Sequence, residues 1–230
     1  MNAYVGKYTV SYQVLKILLV DNHELILHSL QDVLRKQYPK AEISTAQTAH
    51  NALNQATISQ PDLVVMDIFI SEKPKMIPET KTGIILLQKL MKNYPNLNIM
   101  VLSSHVKALV RIKHDIDVHY GGFTVVNKSL CIPEMLSRVE LTLMGATQTK
   151  DLRTQMKLQP VWLEVLRLAF EEGLQDKAIA ERMIVAERTV RHYWIKLQDV
   201  LGIYPEDSKR KGKNIRIQTE IRAREEGLID

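Results

Sequence analysis

The feature that most restricts this chain is a rhythm in its first 145 residues. Five short apolar runs recur: VLKILLVD (14–21), AEISTA (41–46), DLVVMD (62–67), NIMVLSS (98–104) and GFTVVN (122–127). Between them lie stretches whose apolar residues return at a helical period, as Ile26, Leu30, Val33 and Leu34 do. Helices are expected at 23–38, 49–59, 83–94, 106–117 and 133–144. Pro39 and Pro95 close two of them, and Pro133 opens the last, where its fixed φ suits a first turn. Strands that alternate with helices pair in parallel, so the expected fold is α/β, a doubly wound five-stranded parallel sheet.

The pattern changes after Gly145. ATQTKDLRTQMK (146–157) is polar and reads as a linker. Beyond it only helical runs follow, at 160–172, 176–183, 187–201 and about 214–227. Gly173 and Gly202 stand where helix C-caps are expected. The chain therefore divides into an N-terminal extension (1–14), an α/β domain (15–145), a linker (146–157) and a small all-α domain (158–230).

Composition sets outer bounds. Apolar residues make up 45% and charged residues 25%, as in ordinary globular proteins. The single cysteine, Cys131, rules out an intramolecular disulfide and fits a reducing compartment. No apolar run approaches the roughly 18 residues of a membrane span, and MNAYVGKYTVSYQV lacks a signal-peptide core. A cytoplasmic protein with no membrane partner is expected. The net charge of +5 hints at a polyanionic partner, and SKRKGKNIR (208–216) concentrates five basic residues without an acid.

Why does an acid, Asp67, end so greasy a run as Leu63–Met66? Carboxylates are rarely buried unless paired or metal-bound. The strand ends answer together. Asp21-Asn22 follows the first strand, Asp67 ends the third, Ser103-Ser104 ends the fourth and Lys128 follows the fifth. A parallel sheet gathers these ends on one rim, where open α/β folds keep their ligands. Asp21, Asp67 and Asn22 form an oxygen cluster suited to Mg²⁺. A hydroxyl and an ammonium opposite would hold a phosphoryl group. A solvated strand terminus explains any one of these residues, but four at matching ends are harder to dismiss.

ILLVDNHELILHSLQDVL, PDLVVMDI, IMVLSSH and FTVVNKS, in that order, resemble the conserved blocks of a two-component response-regulator receiver. The resemblance implies that Asp67 is the phosphoacceptor, charged by a sensor histidine kinase, and that Asp21 is a Mg²⁺ ligand. Ser103 corresponds to the switch hydroxyl and Lys128 to the phosphate-binding lysine. Three departures stand out. The usual acid pair is Asp21-Asn22, which removes a charge near the metal. An insertion, SEKPKMIPETKT (71–82), lengthens the loop after Asp67; it is polar, carries Pro74 and Pro78, and is expected to be mobile. Val125 takes the usual aromatic switch position.

The helical half has helix–turn–helix geometry. Ala178, Ile179, Ala180 and Met183 give one helix an apolar side, Val185-Ala186 make the turn, and Val190, Trp194, Leu197 and Leu201 anchor the next. Arg188, Arg191, His192 and Lys196 can then point outward, toward major-groove edges and phosphates. GLQDKAIAERMIVAERTVRHYWIKLQDVLG resembles the LuxR/NarL-type output domain. That resemblance implies groove-facing Arg191 and His192, with Lys177, Arg188 and Thr189 near phosphates. It also implies a final helix, NIRIQTEIRAREEGLID, of the kind that makes homodimers.

The function expected is that of a DNA-binding transcriptional response regulator, not an enzyme. An alternative is an atypical, phosphorylation-independent regulator whose receiver is a protein-interaction or dimerisation module. A haloacid-dehalogenase-type hydrolase also uses a strand-end Asp, but needs a second acid in Asp-x-Asp spacing, and residue 69 is Phe.

Overall fold

The computed structural model describes residues 14–148, 158–206 and 212–229. Most of the N-terminal extension, most of the expected linker and the stretch 207–211 lie outside the described residues.

Strands β1 (Lys16–Val20), β2 (Glu42–Ala46), β3 (Leu63–Met66), β4 (Asn98–Ser103), β5 (Phe123–Asn127) and β6 (Thr147–Gln148) form one sheet in the order β2-β1-β3-β4-β5-β6. Every pairing is parallel. Helices α1 (Glu24–Gln37), α2 (Ala49–Ser59), α3 (Thr80–Asn93) and α5 (Ile132–Leu143) make the crossovers, with a short α4 (Lys113–Asp117) before β5. Successive side chains on a strand face opposite sides, and the core divides accordingly. Leu18, Val20, Val64, Met66, Ile99 and Val101 pack toward α2 and α3. Ile17, Leu19, Val65, Met100 and Leu102 pack toward α1 and α5. Each side chain so buried contributes about 1.5–3 kcal/mol.

Three expectations need correction. The sheet has six strands, not five, because Thr147–Gln148 adds to β5 within the stretch read as linker. The free edge of β5 offers unpaired backbone, and Phe123 N–H donates to the Ala146 carbonyl at 3.1 Å. Two polar residues carry no periodic signal, so nothing marked them as a strand. Second, the expected helix 106–117 is mostly a 3₁₀ segment, η1 (Val106–Ile112), with α4 after it. Five of its seven residues are buried, so it has no solvent face to give a helical stripe. Third, α3 begins at Thr80 rather than 83, and the insertion is tied down at its base. Ser71 and Glu72 carbonyls accept from Ala49 and His50 N–H at 2.9 and 3.1 Å, and Glu79 N–H donates to the Ile70 carbonyl at 3.0 Å. Only Lys73–Ile77 form a continuous exposed tip.

The C-terminal region is helical: α6 (Pro160–Phe170), α7 (Asp176–Met183), α8 (Glu187–Leu201) and α9 (Ile215–Glu225). Val190, Trp194, Leu197 and Leu201 are all buried against Trp162, Val165, Leu166 and Ile179. Gly202 ends α8 at φ +68°, in the left-handed region where glycine is favoured. Trp194 is held on three sides: its Nε1 donates to Asp176 at 3.0 Å, the Arg216 guanidinium lies 3.6 Å over its ring, and Phe170 meets it edge-on at 5.5 Å. Arg216 also donates to both Asp176 oxygens at 2.7 and 2.9 Å, so α7, α8 and α9 are locked through one carboxylate. Burial lowers the Arg216 pKa despite that partner.

The α3–sheet contact is tight at Gly83, where an added Cβ would lie 2.0 Å from the Ile68 carbonyl oxygen. Gly83→Ala should therefore destabilise the α/β domain by about 1–3 kcal/mol through overpacking, although alanine favours the helix by about 1 kcal/mol. Urea denaturation compared with the parent chain measures the difference. An unchanged midpoint would mean that α3 can retreat from β3.

Candidate functional site

The strand order places β1, β3, β4 and β5 side by side, so the ends bearing Asp21, Asp67, Ser103 and Lys128 meet on one rim. All four come together as the sequence implied. Asp21 is 2% exposed, Asp67 5% and Ser103 fully buried. The Lys128 ammonium sits between the two carboxylates, 2.6 Å from an oxygen of each. The Ser103 hydroxyl donates to Asp67 Oδ1 at 2.6 Å, and Phe69 N–H donates to the same oxygen at 3.0 Å. Asp21 Oδ1 accepts from His23 N–H at 2.9 Å and faces His23 Nδ1 at 3.1 Å.

Two buried carboxylates against one ammonium leave a net negative charge at the rim. Burial alone would lower the Lys128 pKa. Hydrogen bonds to Asp21 and Asp67, reinforced by their charges, outweigh it and raise the value. The ammonium is therefore held protonated at neutral pH.

Asn22 Oδ1 is buried with no hydrogen-bond partner. An orphaned acceptor on the residue that follows Asp21 fits an oxygen-seeking cation. Among the described residues, no group of three or more His, Cys, Asp and Glu could hold a metal ion; here the third oxygen would come from an amide.

Two neighbours were not found from the sequence. Phe69 and His105 stack with ring centroids 4.9 Å apart, and His105 N–H donates to Ser103 Oγ at 3.2 Å. Each lies two residues past a strand-end site residue, a signal that spacing contains but chemistry does not announce. The aromatic-switch position, Val125, is fully buried in the core.

In the helical region, Lys177, Arg188, Arg191, His192 and Lys196 are exposed and Thr189 is half-buried. Ile184–Ala186 connect α7 to α8, with Ile184 at φ +55°, so the turn begins one residue before the expected pair. Arg191 pairs with Glu187 on its own helix at 2.5 Å. Arg216, counted in the basic run, is turned inward on Trp194; Lys209, Arg210 and Lys211 lie outside the described residues. No described helix is long and apolar enough to cross a membrane.

Among curated proteins, the chain is 25% identical over 204 residues to the DNA-binding transcriptional activator DevR/DosR of Mycobacterium tuberculosis, covering 82% of this chain and 88% of that one. It is 21% identical over 210 residues to the oxygen regulatory protein NreC of Staphylococcus carnosus, covering 82% and 92%. Among solved structures it is similar to RcsB from Salmonella enterica serovar Typhimurium bound to promoter rprA with phosphomimetic BeF3-. That match has a TM-score of 0.54 at 18% identity, covering 84% of this chain and 96% of that one. Residues 17–140, more than half the chain, match the response regulator receiver domain. The rim of Asp21, Asp67, Ser103 and Lys128 thus belongs to a recognised scaffold, and the chain is a member of the response regulator receiver family.

Proposed function

We propose that this chain is a DNA-binding transcriptional response regulator whose receiver takes a phosphoryl group on Asp67 from a sensor histidine kinase. The observation that carries the reading is the Lys128 ammonium bridging Asp21 and Asp67, with the Ser103 hydroxyl on Asp67. In the transfer, an Asp67 carboxylate oxygen attacks phosphorus, a P–O bond forms and the P–N bond to the kinase imidazole breaks. The leaving nitrogen keeps the electron pair. Lys128 supplies a fixed positive charge to the incoming phosphoryl oxygens, and Ser103 a hydroxyl donor. Mg²⁺, held by Asp21, Asn22 and Asp67, would neutralise charge on the phosphoryl group. This is chemistry in the service of switching rather than turnover. A cytoplasmic setting is part of the same reading, supported by the lone cysteine.

The helical region is read as a helix–turn–helix domain, with α8 as the element entering the major groove. Its buried face is fixed by Val190, Trp194, Leu197 and Leu201, which leaves Arg188, Arg191, His192 and Lys196 outward. Lys177 and Thr189 lie where phosphates would pass. α9 exposes Ile217 and Ile221, an apolar surface for a second copy. One observation favours phosphorylation-independent control as a second reading: the buried Val125 has no aromatic ring to swing. In that case the receiver would serve as an interaction module.

Asp67→Asn should abolish alkali-labile labelling by acetyl phosphate while the thermal transition persists, because Lys128 keeps Asp21 as a counter-charge and the amide leaves no unpaired carboxylate. Label retained in that variant would move the acceptor elsewhere. Asn22→Asp should tighten Mg²⁺. Against a divalent ion, an added unit charge about 4 Å away is worth about 2 kcal/mol even in bulk water, roughly thirtyfold in affinity. A fluorescence titration with no gain would show that residue 22 does not face the cation.

Arg191 separates base reading from phosphate binding. Arg191→Ala should cost about 1–3 kcal/mol at a preferred duplex and relax one base position. Neutralising Lys209, Arg210, Lys211 and Lys213 should weaken all duplexes alike and flatten the salt slope by roughly one unit for each phosphate no longer neutralised. Isotherms on preferred and scrambled duplexes at several salt concentrations distinguish them. Equal weakening on both duplexes for Arg191→Ala would remove α8 as the reading element.

A further inference from the structure

Between η1 and α5, over the last residues of β5, lies a cavity of about 490 Å³. Small-molecule sites run from roughly 300 to 1,000 Å³. The sequence leaves this space open. Side chains two apart on a strand share a face, so Val125 and Asn127 point the same way. Val125 stands where receivers usually carry an aromatic ring; it is fully buried, yet offers only an isopropyl group. η1 turns five of its seven side chains into the core, and of these Val106 reaches the cavity. No ring fills the gap.

The lining divides by chemistry. Val106, Val125 and Leu130 make an apolar floor. Glu134, Ser137 and Arg138 make a polar wall. They stand at i, i+3 and i+4 on α5, so one helix face carries all three. The turn after β5 is fixed beside them, because Asn127 Oδ1 accepts from Ser129 N–H at 3.0 Å and from the Ser129 hydroxyl at 2.9 Å. Glu134 Oε2 accepts from the Cys131 thiol at 3.4 Å. One carboxylate and one guanidinium leave the wall without net charge. An ion entering would lose water and meet no surplus of opposite charge, so an uncharged ligand is favoured.

We propose that this cavity binds a small uncharged phenol of one or two rings, with the ring on Val106 and Val125 and the hydroxyl donating to Glu134. A rigid ring freezes no rotatable bonds on binding, and a phenol O–H donates strongly to a carboxylate. The site does not rest on the phosphoacceptor reading, since it needs neither a cation nor modification of Asp67. It gives the receiver a chemical input of its own, taken up on β5 and α5 rather than on the rim.

The test titrates the full chain, labelled at its valine methyls, with p-cresol and follows the methyl resonances of Val106 and Val125. Both should shift and saturate together. 4-Methylanisole, which cannot donate, should bind about fivefold more weakly, and 4-methylbenzoate more weakly by about tenfold or more. Val125→Phe fills the cavity from its floor and should weaken p-cresol by about tenfold or more, read at Val106. Ser137→Phe fills it from an exposed position on α5 and should do the same, so the site stays testable even if Val125→Phe strains β5. Glu134→Ala should bind p-cresol and the ether alike. Unshifted Val106 and Val125 methyls in the parent overturn the site, as does parent-like affinity in both filled variants. Equal affinity for the benzoate overturns the uncharged class. A preference for p-cresol over the ether that survives in Glu134→Ala overturns Glu134 as the acceptor.

Discussion

The Lys128 ammonium between Asp21 and Asp67 is the interaction on which the rest of the receiver depends. A carboxylate taken out of water costs several kcal/mol unless paired, and here two are buried within one rim. The parallel sheet sets β1, β3 and β5 near enough for a single ammonium to reach within 2.6 Å of both. The apolar core on either side of the sheet supplies the stability that tolerates this cost. The bridge leaves one negative charge uncompensated, and under the proposed function that residual charge is what would attract a cation.

The strand ends were legible because chemistry and period coincide there. A buried run such as Leu63–Met66 predicts a strand, and the acid that ends it predicts a rim. The features that escaped share a different cause. β6 is two polar residues that pair only because β5 has a free edge. η1 is buried from two directions, so its apolar residues show no helical side. Arg216 reads as one more surface cation in a basic run, yet Trp194 and Asp176, far away in sequence, turn it inward. The ion pair between Lys107 and Glu226 joins residues 119 positions apart and follows no local pattern.

The helical region solves a different problem. A helix that is to present Arg188, Arg191, His192 and Lys196 outward must be held by its opposite face alone. Four apolar anchors at steps of four, three and four do most of this, and the largest of them carries a polar atom. Trp194 could not be buried without a partner for its Nε1. Asp176 provides one, and Arg216 in turn neutralises Asp176 while covering the indole face. One buried indole thus fixes the orientation of α8 relative to both α7 and α9.

Asn22 changes how charge is shared at the rim. With an acid at that position, two carboxylates besides Lys128's partner on β3 would face a cation, and the cation would bind strongly on its own account. With an amide there, the local sum before modification is a single negative charge, from Asp21, Asp67 and Lys128 together. A divalent ion would then turn the rim positive, while its own binding rests on fewer full charges. Lys128 consequently carries a larger share of the counter-charge for any phosphoryl group on Asp67. Its raised pKa keeps it able to do so at neutral pH and above. Under the proposed function, the modified state of this receiver should therefore lean on the strand-five lysine more than on the metal.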